Sequence, residues 1–185
     1  MWINDTYTNV ETFLNNVANS IRVVPGGGSN AMVQKDSNST ATGDGAFATG
    51  NQTTASGNFS HTEGDQTIAS ANNAHAEGYK TQATGNNTHA EGVETVAQGI
   101  RSHAEGAYSQ SLGQASHAEG TNTKAVGNNT HAEGDQCESH GINAHSEGFH
   151  CIATGNNSHA GGYESESVGI RSFTHGTGTK TLYEN

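Results

Sequence analysis

The chain has 185 residues, of which only 30% are hydrophobic against roughly 45 to 50% in ordinary globular domains, with 25 Gly and a single Pro. No large apolar core can be built from this composition. Formal charge is −11, with seven Lys and Arg and no basic cluster, so the electrostatic footprint for gripping nucleic acid is missing; no apolar run is long enough to insert in a membrane, and no export signal is visible.

In chain order, residues 1–24 form a non-repetitive segment that reads as a helix from Thr8. Thr8-Asn9-Val10-Glu11 fits a capping box ahead of an apolar stripe of Val10, Phe13, Leu14, Val17 and Ile21. That stripe predicts self-association or docking to another protein. Residues 25–45 begin with Pro25-Gly26-Gly27-Gly28-Ser29-Asn30, a flexible joint, and continue into a partial first coil marked by Ser39, Ala41 and Gly43.

From Ala46 to Arg171 a pentapeptide close to Ser-His-Ala-Glu-Gly returns every 14 residues in nine lines, with no insertion or deletion. Such strict repetition marks a solenoid, each unit burying its surface against its neighbours along one axis. Two short strands are predicted in each line, at positions 1 to 5 and 8 to 12. Gly at position 5 and Asn-Asn pairs at positions 13 and 14 close the coil through turns that need positive φ. Residues 172–185 form a degenerate terminal coil or cap.

Column by column, positions 1, 3, 8 and 10 are small and nearly constant, so they form the interior; this also makes an ice-binding Thr face improbable on chemical grounds. Positions 9 and 11 vary as a solvent face does. Positions 2 and 4 carry His61, Glu63, His75, Glu77, His89, Glu91, His103, Glu105, His117, Glu119, His131, Glu133, His145, Glu147 and His159, bracketed by Phe47 and Phe173. A constant column on an outward face needs a cover, which other copies of the chain would supply. The His–Glu columns are therefore expected along the axis of a homo-oligomer, with Phe47 and Phe173 as apolar plugs.

Three kinds of chemistry fit the ladder. One is structural, with each His paired to a Glu on a neighbouring chain and its pKa raised by that carboxylate. The second is metal binding, in which His75, Glu77, His89, Glu91, His103, Glu105, His117, Glu119, His131 and Glu133 offer rings of ligands from several chains. A catalytic Ser-His-Glu set is the third, and eight equivalent copies argue against it. No resident cofactor is expected beyond such an axial ion. Cys137 and Cys151 share column 8 one coil apart, near enough for a disulfide but more consistent with buried, reduced thiols.

The lines Ser-His-Ala-Glu-Gly-x-x-Thr-x-Ala-x-Gly-x-x resemble the 14-residue head repeats of trimeric autotransporter adhesins, the YadA-like head, in a His–Glu version similar to repeats of phage and prophage tail-fibre proteins. The resemblance implies an all-β, left-handed parallel β-roll and a homotrimer. It implies a structural, non-enzymatic fibre segment acting in host attachment, as spacer or receptor-binding head. In a virion tail, assembled in the bacterial cytoplasm, residues 1–24 would join another tail or baseplate protein, and a host surface receptor would be the distal partner. The alternative is a cell-surface adhesin head that binds a host glycan or matrix protein. No nucleic acid or membrane insertion is expected in either case.

Overall fold

The computed structural model describes residues 23–34 and 37–182. The helix expected within residues 1–24 lies almost entirely outside them. Among the described residues no helix is long and apolar enough to cross a membrane.

The chain winds into a parallel β-solenoid whose coils stack in register, His61 beside His75 and His75 beside His89. One sheet has twelve strands and the other eleven. Setting aside the antiparallel strand Val23–Pro25 at the edge of the first sheet, each sheet contributes eleven parallel strands, so the rod has eleven coils. These are the nine regular lines, the partial line before them and the degenerate line after, whose Phe173–Thr177 and Lys180–Thr181 segments pair like the rest.

Strand limits differ from the alternation pattern. The longer first-sheet strands cover positions 2 to 6, as in His61–Asp65, and second-sheet strands only positions 9 and 10, as in Ile68–Ala69. Backbone geometry explains the shortening: the chain turns through left-handed conformations at position 14, where Asn73 and Asn87 have φ of 54° and 58°, and again at position 7, where Gln66 and Lys80 have φ of 60° and 55°. The first corner uses the Asn that best tolerates that region. The second accepts Gln, Lys, Glu, Tyr or His, and its amide bonds back to the preceding coil, as from Lys80 N–H to Asp65 C=O at 2.9 Å, which offsets the strain.

The interior contains Ala, Ser, Thr and Cys, and its largest fully buried side chains are Thr and Cys. Thr53, Thr67, Thr81, Thr95 and Thr123 of column 8 are completely enclosed, so this column is core and not a lattice-binding face. Hydroxyls at position 1 close the coils: Ser60, Thr88 and Ser116 each donate to the carbonyl of the position-12 Gly three residues earlier, at 2.6 Å.

Residues 25–45, read from sequence as a flexible joint and partial coil, are tied to the rod by backbone hydrogen bonds within their described part. Gly26 N–H donates to Ala31 C=O at 2.8 Å and Gly27 N–H to Ala41 C=O at 2.6 Å, and a Cβ on Gly28 would lie 2.2 Å from Gly43 O. The glycines allow close stacking on the next coil, a use of Gly that composition cannot tell from flexibility. The coil from Ala31 is one residue longer than the others. Met32 pairs with Phe47, fifteen residues on, whereas Thr40 pairs with Thr54, fourteen on.

Candidate functional site

In-register parallel strands place each side chain over its equivalent at the interstrand spacing, about 4.8 Å. That distance suits stacked aromatic rings. From His61 to His145 the imidazoles of position 2 stack face to face, with centroids 4.7 to 4.9 Å apart and planes within 7°. Phe47 lies over His61 at 5.2 Å and Phe173 over His159 at 4.7 Å, so both phenylalanines continue the column. Met32 precedes Phe47 in the same column.

Six of the eight ladder histidines reach the Glu of the preceding coil in their own chain. His89 Nε2 lies 3.2 Å from Glu77, His103 3.5 Å from Glu91, His117 3.4 Å from Glu105, His131 3.5 Å from Glu119, His145 3.4 Å from Glu133 and His159 3.3 Å from Glu147. The pairing expected from sequence is between chains; these contacts lie between adjacent coils of one chain. Only His89 to Glu77 also has hydrogen-bond geometry. In His61, His75, His103, His117, His131, His145 and His159 the Nε2 atom is shut off from solvent and has no hydrogen-bond partner, although the rings as a whole remain roughly one-third exposed where paired.

The ladder is interrupted once. Position 4 of the ninth line is Gly161, and a Cβ there would fall 2.6 Å from the His175 ring and 3.1 Å from His159 Nε2. With no Glu at that level, His159 stands edge-on to His145, at 81°. His175 takes position 4 in the next coil, a member of the column that the Ser-His-Ala-Glu-Gly pattern conceals.

Titration follows from this crowding. The pKa values of His75, His103, His131 and His159 are lowered from the ordinary 6.5, first by burial and then by the charge of stacked histidines, which together outweigh the nearby carboxylates. This corrects the expectation of raised values: a pairwise view counts one Glu and omits the stack. Glu77, Glu105 and Glu133 are raised, first through hydrogen bonding with a neighbouring carboxyl (Glu63 for the first, Glu119 for the other two), and Glu119 is lowered by the same contacts. Neighbouring carboxyls along the rod therefore shift in opposite directions.

Beside the Glu column runs a groove of about 680 Å³ lined by Glu105, Glu119, Glu133, Glu147 and their following glycines, with His175 at its end. The opposite sheet carries a separate charged cluster, in which Lys124 Nζ lies 2.9 Å and His140 Nε2 2.8 Å from the Glu138 carboxylate. The two thiols are free and buried; burial pushes Cys137 up to about 12.

The model of the YadA head domain repeat matches residues 37–53, 48–70, 90–109 and 118–136. No curated protein matches the chain. Three of the four matched segments contain the His–Glu pentapeptide, and all four lie within the eleven-coil rod. In these segments the solenoid is similar to YadA head domain repeats.

Proposed function

We propose that the chain is a non-enzymatic structural rod of an attachment appendage, assembled as a homotrimer with its His–Glu sheet turned to the common axis. One observation carries this reading. Seven ladder histidines hold a ring nitrogen away from water with no hydrogen-bond partner, on an outward face whose composition stays constant while positions 9 and 11 of the opposite sheet vary. Buried polar groups are ordinarily satisfied, and neighbouring copies of the same face would bring carboxylates to them. The match to YadA head repeats supports both self-association and an adhesin-type role. The His–Glu form of the pentapeptide favours a phage or phage-like tail fibre, with residues 1–24 joining a tail or baseplate protein.

Sedimentation equilibrium of the whole chain tests the assembly. A three-chain mass is expected, and a one-chain mass across the concentration range would overturn the axial placement. The YadA head match equally carries a second reading, a cell-surface adhesin whose exposed faces bind a host glycan or matrix protein. Retention of the rod on a glycan or matrix array would favour it, since a pure spacer binds nothing.

A further inference from the structure

We infer that the ladder binds divalent transition-metal ions of the zinc class at two places in each chain, one centred on His89 and one on His131. The sites form between adjacent coils of a single chain, so they stand or fall apart from the trimer. Four groups bring two imidazoles and one carboxylate together: His75, Glu77 and His89; His89, Glu91 and His103; His117, Glu119 and His131; His131, Glu133 and His145. Within each group the ligand atoms lie no more than 4.8 Å apart.

Three atoms no farther apart than 4.8 Å all fit within 4.8/√3, about 2.8 Å, of a common point. Zinc bonds to His nitrogen and carboxylate oxygen run to about 2.0 to 2.2 Å. Each ligand atom therefore closes by about 0.7 Å at most, and because the paired rings stack within 7° of parallel, binding also turns both imidazoles out of the stack until their lone pairs converge on the ion. A second observation points to a ligand independently of the clustering. The Nε2 atoms of His75, His103, His117, His131 and His145 are sealed from water and have no hydrogen-bond partner, the carboxylate oxygens 3.4 to 3.5 Å from the last four being misaligned for one; a metal ion drawn between ring nitrogen and carboxylate would satisfy both. Two imidazoles and a carboxylate suit zinc and its neighbours better than magnesium or calcium. A water completes the tetrahedron.

The stoichiometry follows from shared residues. His89 belongs to both groups of the first pair and His131 to both of the second, so filling one group removes the other. The ligand atoms of His103, Glu105 and His117 do not come together to the same distance, which separates the two stretches. Two ions per chain is the ceiling, although eight histidines line the column.

The test is zinc titration of the chelator-stripped full chain, followed calorimetrically and by metal analysis after dialysis. Two ions per chain are expected. His89→Gln should leave one and the His89→Gln/His131→Gln pair none, while His61→Gln, His159→Gln and the outer-face His140→Ala each keep two. Circular dichroism confirms that each variant is folded. Should a ladder variant fail that check, cobalt(II) added to the wild-type chain supplies the readout through the visible bands of a tetrahedral His-carboxylate site, again saturating at two equivalents. Absence of binding at micromolar metal, uptake in proportion to all eight histidines, or loss of binding on His140→Ala alone would overturn the proposal.

Discussion

Gly120→Ala probes what holds one coil on the next. Gly120 sits at position 5 with φ of 103°, beyond the left-handed region open to other residues, and a Cβ there would lie 2.1 Å from Gly134 O and 3.0 Å from its N and C. A carbon–oxygen contact needs about 3.3 Å, so the coils must part locally by about 1.2 Å. That opening carries the adjoining bond from Gln136 N–H to Thr121 C=O, 2.8 Å long, out of range. Backbone strain of about 1 to 3 kcal/mol and about 1 kcal/mol for each of one or two lost bonds give a destabilisation of about 3 kcal/mol or more. Position 12 supplies the contrast. Ala71 stands there in place of Gly without positive φ, and the amide that bonds the next coil from Gly57 at 3.3 Å and from Gly85 at 3.4 Å makes no such bond from Ala71. One bond is lost, and the gain from replacing Gly, about 0.5 to 1 kcal/mol, offsets it. Guanidinium unfolding followed by circular dichroism measures the effect. A Gly120→Ala variant within about 0.5 kcal/mol of wild type, the range of an ordinary surface substitution, would refute the close-approach argument.

Acid should weaken the rod: because the folded pKa values of His75, His103, His131 and His159 are lowered, their contribution is complete above the unfolded value of about 6.5 and is lost as pH falls through the folded values. Melting in the presence of a chelator, which removes any metal contribution, should show a falling Tm below neutrality; a maximum at mildly acidic pH would contradict it. Phe173→Ala should remove the terminal stack on His159, about 0.5 to 1.5 kcal/mol; Phe173 is 68% exposed in one chain, so a larger loss in the assembled rod would report burial at an axis and an unchanged Tm would deny both. Thiol titration with an aromatic disulfide reagent should find neither Cys137 nor Cys151 reactive in the folded chain and both after denaturation, because burial raises the Cys137 thiol to about 12 and only thiolate reacts.

Much of the fold was legible because an uninterrupted period constrains every line at once. Small residues at positions 1, 3, 8 and 10 and variable ones at 9 and 11 were enough to assign inside and outside, and the burial of Ala76, Thr81 and Ala83 follows that assignment. Asn at position 14 disclosed one corner. The corner at position 7 stayed hidden because Gln66, Lys80 and Tyr108 share no chemistry; backbone bonds to the preceding coil hold it. Nor could the pattern show the extra residue between Val33 and Thr40, where the Met32 register slips against Phe47.

The ladder was visible as residues and hidden as electrostatics, for a reason that applies to any stacked column. Residue types reveal partners of opposite sign, and on that basis each His beside a Glu gains charge stability. In the rod the imidazoles from His75 to His145 also have two like neighbours each at 4.7 to 4.9 Å, and protonating one discourages protonation of the next, while the same stacking encloses the ring nitrogens. For His75, His103, His131 and His159 burial and repulsion act together against the charged form; the carboxylates 3.3 to 3.5 Å from His103, His131 and His159, with poor hydrogen-bond alignment, oppose them and lose. Those four rings are consequently held toward neutral imidazole. Neutral stacked rings have no charge to repel and leave their lone pairs free for a donor or an ion, so neutral members spaced along the column lessen the repulsion that would force its coils apart.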